Sequence, residues 1–148
     1  MRIEFTLSPL PNLTGTKPPQ AVLSNSCQVI GLTAGKWKVT MLPVKEGKKD
    51  LPSAWAKFDP HTGKETWYCY ILYGEFDPTK PSDLLLLPVG NNAEKCTREE
   101  AMAQFPQGSL ITVHPTVADR PAKTVIFAIP TDFYNKKGSL RIALEPVG

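Results

Sequence analysis

Fifteen prolines are spread along 148 residues, most of them at the ends of short β-branched or aromatic runs. Proline has no N–H to give to a ladder and its ring clashes inside a helix. A chain punctuated this way is built from short strands joined by rigid turns. The prolines fall within apolar segments, and the apolar (41%) and charged (21%) fractions are those of an ordinary folded domain, which argues against a disordered tract. One domain over residues 1–148 is expected, long enough to bury about 70% of the surface of its unfolded chain without a disulfide or metal.

Cys27, Cys69 and Cys96 are widely separated and form no Cys-x-x-Cys pair, so neither a disulfide framework nor a zinc site is expected. Met1 to Leu10 alternates polar and apolar residues where a signal peptide would carry a basic stretch and then an apolar one. The longest apolar run, Leu84 to Leu87 followed by Pro88 and Val89, is too short to span a bilayer. These features set the expectation of a soluble, intracellular protein, alone or incorporated into a particle, with no membrane segment, metal or cofactor. Asn12-Leu13-Thr14 matches a glycosylation sequon, which matters only in a secreted chain.

Alternation places the strands. Ile3, Phe5 and Leu7 share one face of residues 2–8, and Trp37, Val39 and Met41 share one face of residues 36–44. The run 27–33 is separated from the latter by Ala34-Gly35, a link compatible with a hairpin. Residues 9–19 read as a proline-bracketed loop and 45–53 as a charged loop. Asp59-Pro60-His61-Thr62-Gly63 carries turn chemistry and should close a hairpin between 54–58 and 65–73. A second Phe-Asp-Pro at 76–78 reuses that chemistry. Thr97-Arg98-Glu99-Glu100 is a capping box opening one short α-helix near 97–105, stopped by Pro106 and Gly108. Strands are further expected at 109–114, 123–129 and 139–145. The reading is a mainly β protein, a single-domain antiparallel β-sandwich of jelly-roll-like type or a partly open barrel, with eight or nine short strands.

No enzyme signature rises above background. His61 sits in a turn, and His114 ends a strand before Pro115; its candidate partners are Asp119 or a distant cysteine, but there is no triad spacing or nucleophile elbow. Gly31 to Lys36 has three residues between its glycines and Trp37 after its lysine, so it is not a phosphate-binding loop. The acidic pairs Asp77 with Asp83 and Glu99 with Glu100 are explained by turns and a helix start.

The charge is uneven. Residues 36–64 carry seven lysines against Glu46, Asp50 and Asp59, concentrating the positive field of a chain whose net charge is +3. Lys36, Trp37, Lys38, Lys45, Lys48, Lys49, Trp55, Lys57 and Lys64 interleave cations with rings, as a single-stranded nucleic-acid binder would. Trp37 also alternates with its lysines as a core residue on a half-buried strand does, and that reading is preferred. Trp67, Tyr68, Tyr70 and Tyr73 form the most aromatic stretch. Trp67 and Tyr68 point to opposite faces, so at least one large ring is either on the outer surface, where it would suit a sugar or a partner protein, or under a covering loop. The expected function is that of a non-enzymatic interaction or structural subunit of a larger assembly, of viral or phage kind, acting through a protein partner or self-association. A nucleic-acid binder and a carbohydrate-binding module are the rivals.

Overall fold

The computed structural model describes residues 2–8, 27–59, 61–75, 85–115, 123–130 and 135–148. The strands are β1 (Ile3–Leu7), β2 (Cys27–Leu32), β3 (Gly35–Leu42), β4 (Val44–Glu46), β5 (Lys49–Leu51), β6 (Ala54–Asp59), β7 (Lys64–Glu75), β8 (Leu87–Lys95), β9 (Ser109–Val113), β10 (Lys123–Ala128) and β11 (Asn135–Val147). Among the described residues there is one helix, α1 (Arg98–Ala103), between β8 and β9. The protein is mainly β, as the prolines and alternation require.

Among the described residues all pairings are antiparallel, and two long strands organise them. The second half of β11 lies between β1 and β3, and β9 adds to the far edge of β3. The second half of β7 pairs with β10 on one edge and with β8 on the other, and β2 adds to β10. The first layer therefore reads 1-11-3-9 and the second 2-10-7-8. Consecutive strands cross repeatedly from layer to layer, which is the two-Greek-key order of a jelly roll. The layers join at one corner, where β6 pairs with the first halves of both β7 and β11. Gly138 makes that corner, with φ 94°. A Cβ there would collide with the Ala54 carbonyl and press on the Trp67 ring.

The inward faces follow the alternation. Leu7, Val39, Met41, Leu140, Ile142 and Leu144 from the first layer meet Ile71, Val125 and Phe127 from the second. Rings close the contact, with Phe5 and Tyr73 5.3 and 5.1 Å from Phe127. Fully burying each such aliphatic or aromatic side chain contributes about 1.5–3 kcal/mol, which is what holds the layers together.

The 54–73 hairpin forms as expected, with Trp55 opposite Tyr68 and Asp59 opposite Lys64. Its turn is closed by the Gly63 N–H donating to the Asp59 carbonyl at 2.8 Å and the His61 N–H donating to Asp59 Oδ1 at 2.9 Å, with Gly63 at φ 69°. Thr97 caps α1, its hydroxyl accepting from the Glu100 N–H at 3.2 Å. The helix stops at Ala103, shorter than expected.

Three expectations need correction, and one strand was missed. Ala34-Gly35 does not turn a hairpin: β2 pairs with β10 and β3 with β11 and β9, so the link carries the chain between layers. The charged loop 45–53 contains the β4–β5 hairpin. The last strand begins at Asn135, well before Ser139, because its first residues serve β6. β8 was not foreseen at all, since Gly90-Asn91-Asn92 interrupts any apolar alternation. The segment 9–26, the second Phe-Asp-Pro, Asp83 and Asp119 lie outside the described residues.

Candidate functional site

The outer strands of the stacked layers face each other across a lateral seam. Among the described residues β9 pairs only with β3 and β8 only with β7, so each turns its other edge toward the seam. A groove of about 540 Å³ opens there, floored by Val89, Ile111 and Tyr73. Leu85, Leu87 and Leu110 line it while remaining 68%, 56% and 54% exposed. Three large aliphatic side chains left in water at one place form an apolar patch of the kind that marks binding surfaces.

Hydrogen bonds show which backbone groups face the seam. The His114 N–H donates to Glu75 Oε1 at 2.6 Å, and the Tyr73 hydroxyl lies 3.5 Å from the Thr112 carbonyl. Strand alternation then turns the N–H and carbonyl of Leu110 the same way. On the opposite wall, Gln104 Nε2 donates to the Asn91 and Ala93 carbonyls at 3.3 and 3.2 Å, and Leu87, Pro88 and Val89 line the groove. Both ends of the seam are thus covered by side chains, in the way natural sheets protect their edges. The middle, Leu110–Thr112 against Leu87–Val89, is the open part.

The end at Glu75 is charged. His114 Nδ1 lies 2.9 Å and Lys123 Nζ 3.8 Å from its carboxylate. Burial raises the Glu75 pKa, but the His114 N–H and ring, with Lys123, more than offset it, and the carboxyl titrates below its ordinary range. Tyr73 is pushed up to about 12 by burial and by Glu75, so it stays a neutral donor.

The structure disperses the basic segment. Trp37 and Trp55 are 1% and 0% exposed, so neither ring is presented to a base. Lys36 and Lys38 stand on the outer face of β3, in register with Thr112 and Leu110 of β9. Lys45, Lys48 and Lys49 are exposed on the β4–β5 hairpin. Lys57 and Lys64 border a separate polar cleft with Asp59, Thr66, Tyr68 and Glu94.

The aromatic stretch is also enclosed. Tyr68 stacks on Trp55 at 4.6 Å with Lys57 5.4 Å from its ring, donates to Glu94 at 3.0 Å, and is pushed up to about 12 by burial and Glu94. Tyr70 supplies the carbonyl that accepts Trp55 Nε1 at 3.0 Å. Trp67 points to the other face, where Arg98 and Lys137 lie 5.4 and 5.7 Å from its ring. Both Trp67 and Tyr68 are therefore covered, by side chains of neighbouring strands and of α1 where a loop was expected. Of the four aromatics, Tyr73 alone reaches the groove.

Sequence reading missed Leu85, Leu87, Leu110 and Glu75 as site residues. Alternation marks Leu110 as outward on β9, which was the one available signal. Among the described residues no group of three or more His, Cys, Asp or Glu side chains is placed to hold a metal ion, and no helix is long and apolar enough to cross a membrane. No protein-family model, curated protein or solved structure matches the chain.

Proposed function

We propose that this chain is a non-enzymatic binding protein, a subunit of a larger assembly, that contacts a protein partner through the seam between β8 and β9. The exposure of Leu85, Leu87 and Leu110 around one groove carries this reading. Removing a leucine side chain from water contributes about 1.5–3 kcal/mol, so three together supply a useful part of a binding energy. Jelly rolls also serve as capsid subunits and lectins, and that fold-level analogy agrees with an assembly role without identifying it. The burial of Trp37 and Trp55 weighs against base stacking, and that of Tyr68 and Trp67 against a sugar platform.

The test is site-specific photo-cross-linking in the native cell, with the probe at Leu87 or Leu110 and a control at Lys48. The same protein, or a second copy of this chain, should be captured from both groove positions and not from the control. Replacing Leu85 and Leu110 with Ser should abolish capture without unfolding the chain. Equal capture from Lys48, or tight, salt-sensitive binding of a single-stranded oligonucleotide that ignores the leucines, would overturn the proposal.

A further inference from the structure

Resting on that reading, we infer that the groove's occupant is an extended protein segment that adds, as a strand, to the edge of β9 left unpaired among the described residues, apolar on its inner face and acidic on its outer face. Three observations converge. The first is the backbone: the seam is covered at one end by Glu75 and Tyr73 and at the other by Gln104, while the Leu110 N–H and carbonyl and the Thr112 N–H are directed into the open middle. An added strand satisfies such groups with its own main chain.

The second is shape. Alternate side chains of a strand on β9 would enter the groove over Val89, Ile111 and Tyr73, filling the gap between the layers. The remaining side chains would emerge beside Leu110 and Thr112. The open stretch is three residues long on each wall, or roughly 10 Å at the rise of a strand, so the contact is short and its specificity rests on side chains.

The third is charge. Lys38 and Lys36 stand beside Leu110 and Thr112 on the outer face. A strand on β9 would lie about 10 Å from β3, two strand spacings away, slightly more than the Debye length of about 8 Å at physiological salt, so the attraction is partly screened there and grows as salt is lowered. Lys38 has Glu145 at 4.0 Å on its far side, and at the groove end Glu75 is matched by His114 and Lys123. Outward acidic residues on the added strand therefore meet a basic row, while its inward residues, facing Glu75 and the aliphatic floor, are apolar.

The experiment measures fluorescence anisotropy of labelled ten-residue peptides with the full chain. One peptide alternates Leu and Val with Glu, a second has Lys in place of Glu, and a third carries two prolines within the Glu version. The Glu peptide should bind at least about tenfold more tightly than the Lys peptide. The proline version should lose binding, because it cannot complete the ladder. Lys36→Glu with Lys38→Glu, its fold checked by circular dichroism, should reverse the preference, and Lys36→Glu alone should narrow it. Amide resonances of Leu110 and Thr112 should shift on binding. Equal binding of the proline version, or a preference untouched by charge reversal, would overturn strand addition. Should no peptide bind while the groove still cross-links to a partner, strand addition falls and the proposed function stands. Failure of both removes both.

Discussion

The Ser53 hydroxyl accepts the Arg141 N–H at 2.9 Å and donates to the Leu42 carbonyl. Leu42 ends β3 opposite Arg141, and Ala54 begins β6 opposite Ser139. β3 and β6 therefore follow one another along a single edge of β11, with the β4–β5 hairpin as an excursion between them. Ser53, fully buried, splices the gap by replacing a missing strand residue with a side chain. Replacing it with Ala should leave a buried N–H and a carbonyl without their partner, at a cost of about 1–3 kcal/mol. Urea unfolding checks this. A loss below about 0.5 kcal/mol would show that the splice is dispensable.

The excursion is held down by charge. Glu46 accepts from Arg98 at 2.8 Å and from Ser139 at 3.0 Å, tying the hairpin to α1 and to the corner of β11. Arg98 chiefly, helped by Ser139 and opposed by burial, keeps the Glu46 carboxyl below its ordinary value of 4.5. A group depressed in the folded state stabilises fully above its unfolded pKa and loses that contribution as pH falls through the folded value. Stability should thus decline on acidification below about pH 4.5, and Glu46→Gln should flatten that decline while lowering stability at pH 7. Parallel profiles for the two proteins would contradict the assignment.

Gly138 admits no side chain. Gly138→Ala would combine a left-handed backbone with a collision against the Ala54 carbonyl, and thermal or chemical unfolding should register about 2–4 kcal/mol of destabilisation. A near-neutral result would mean that the corner between the layers yields.

The thiols should differ in reactivity. Cys96 is exposed, while burial pushes Cys69 up to about 12. Under native conditions at pH 8 an alkylating reagent should modify Cys96 quickly and Cys69 only after unfolding, as read by mass spectrometry of peptides. Comparable rates would place Cys69 nearer the surface than the structure does.

Replacing Lys45, Lys48 and Lys49 together with Ala should shift stability by no more than about 0.5 kcal/mol per site. The cross-strand pairs Lys45 with Asp50 and Glu46 with Lys49 are exposed and contribute little. Groove cross-linking should be unchanged. Its loss would move the contact surface to the hairpin.

Local chemistry in the sequence was enough for the elements that local chemistry determines. The Asp59–Gly63 turn and the Thr97 cap are closed by residues two to four positions apart, and alternation turned Trp37 inward with Lys36 and Lys38 outward. Alternation says which way a side chain points and nothing about which strand lies beside it, so the link at Ala34-Gly35 read as a hairpin. The groove was hidden for the same reason. Leu87 and Leu110 become neighbours only because two outer strands stack across the layers, and β8, with Gly90 and Asn91 at its centre, carries no periodic signal of its own.

β11 serves β1, β3 and β6 at once, and β1 is made more than a hundred residues before it. During synthesis β1 therefore waits for β11, the strand it pairs with among the described residues, until residues 140–144 have emerged. Contacts so distant along the chain delay folding, since the entropy of closing the long loop is lost before the sheet rewards it. Newly made chains crowded on one message would be at their most adhesive during that interval.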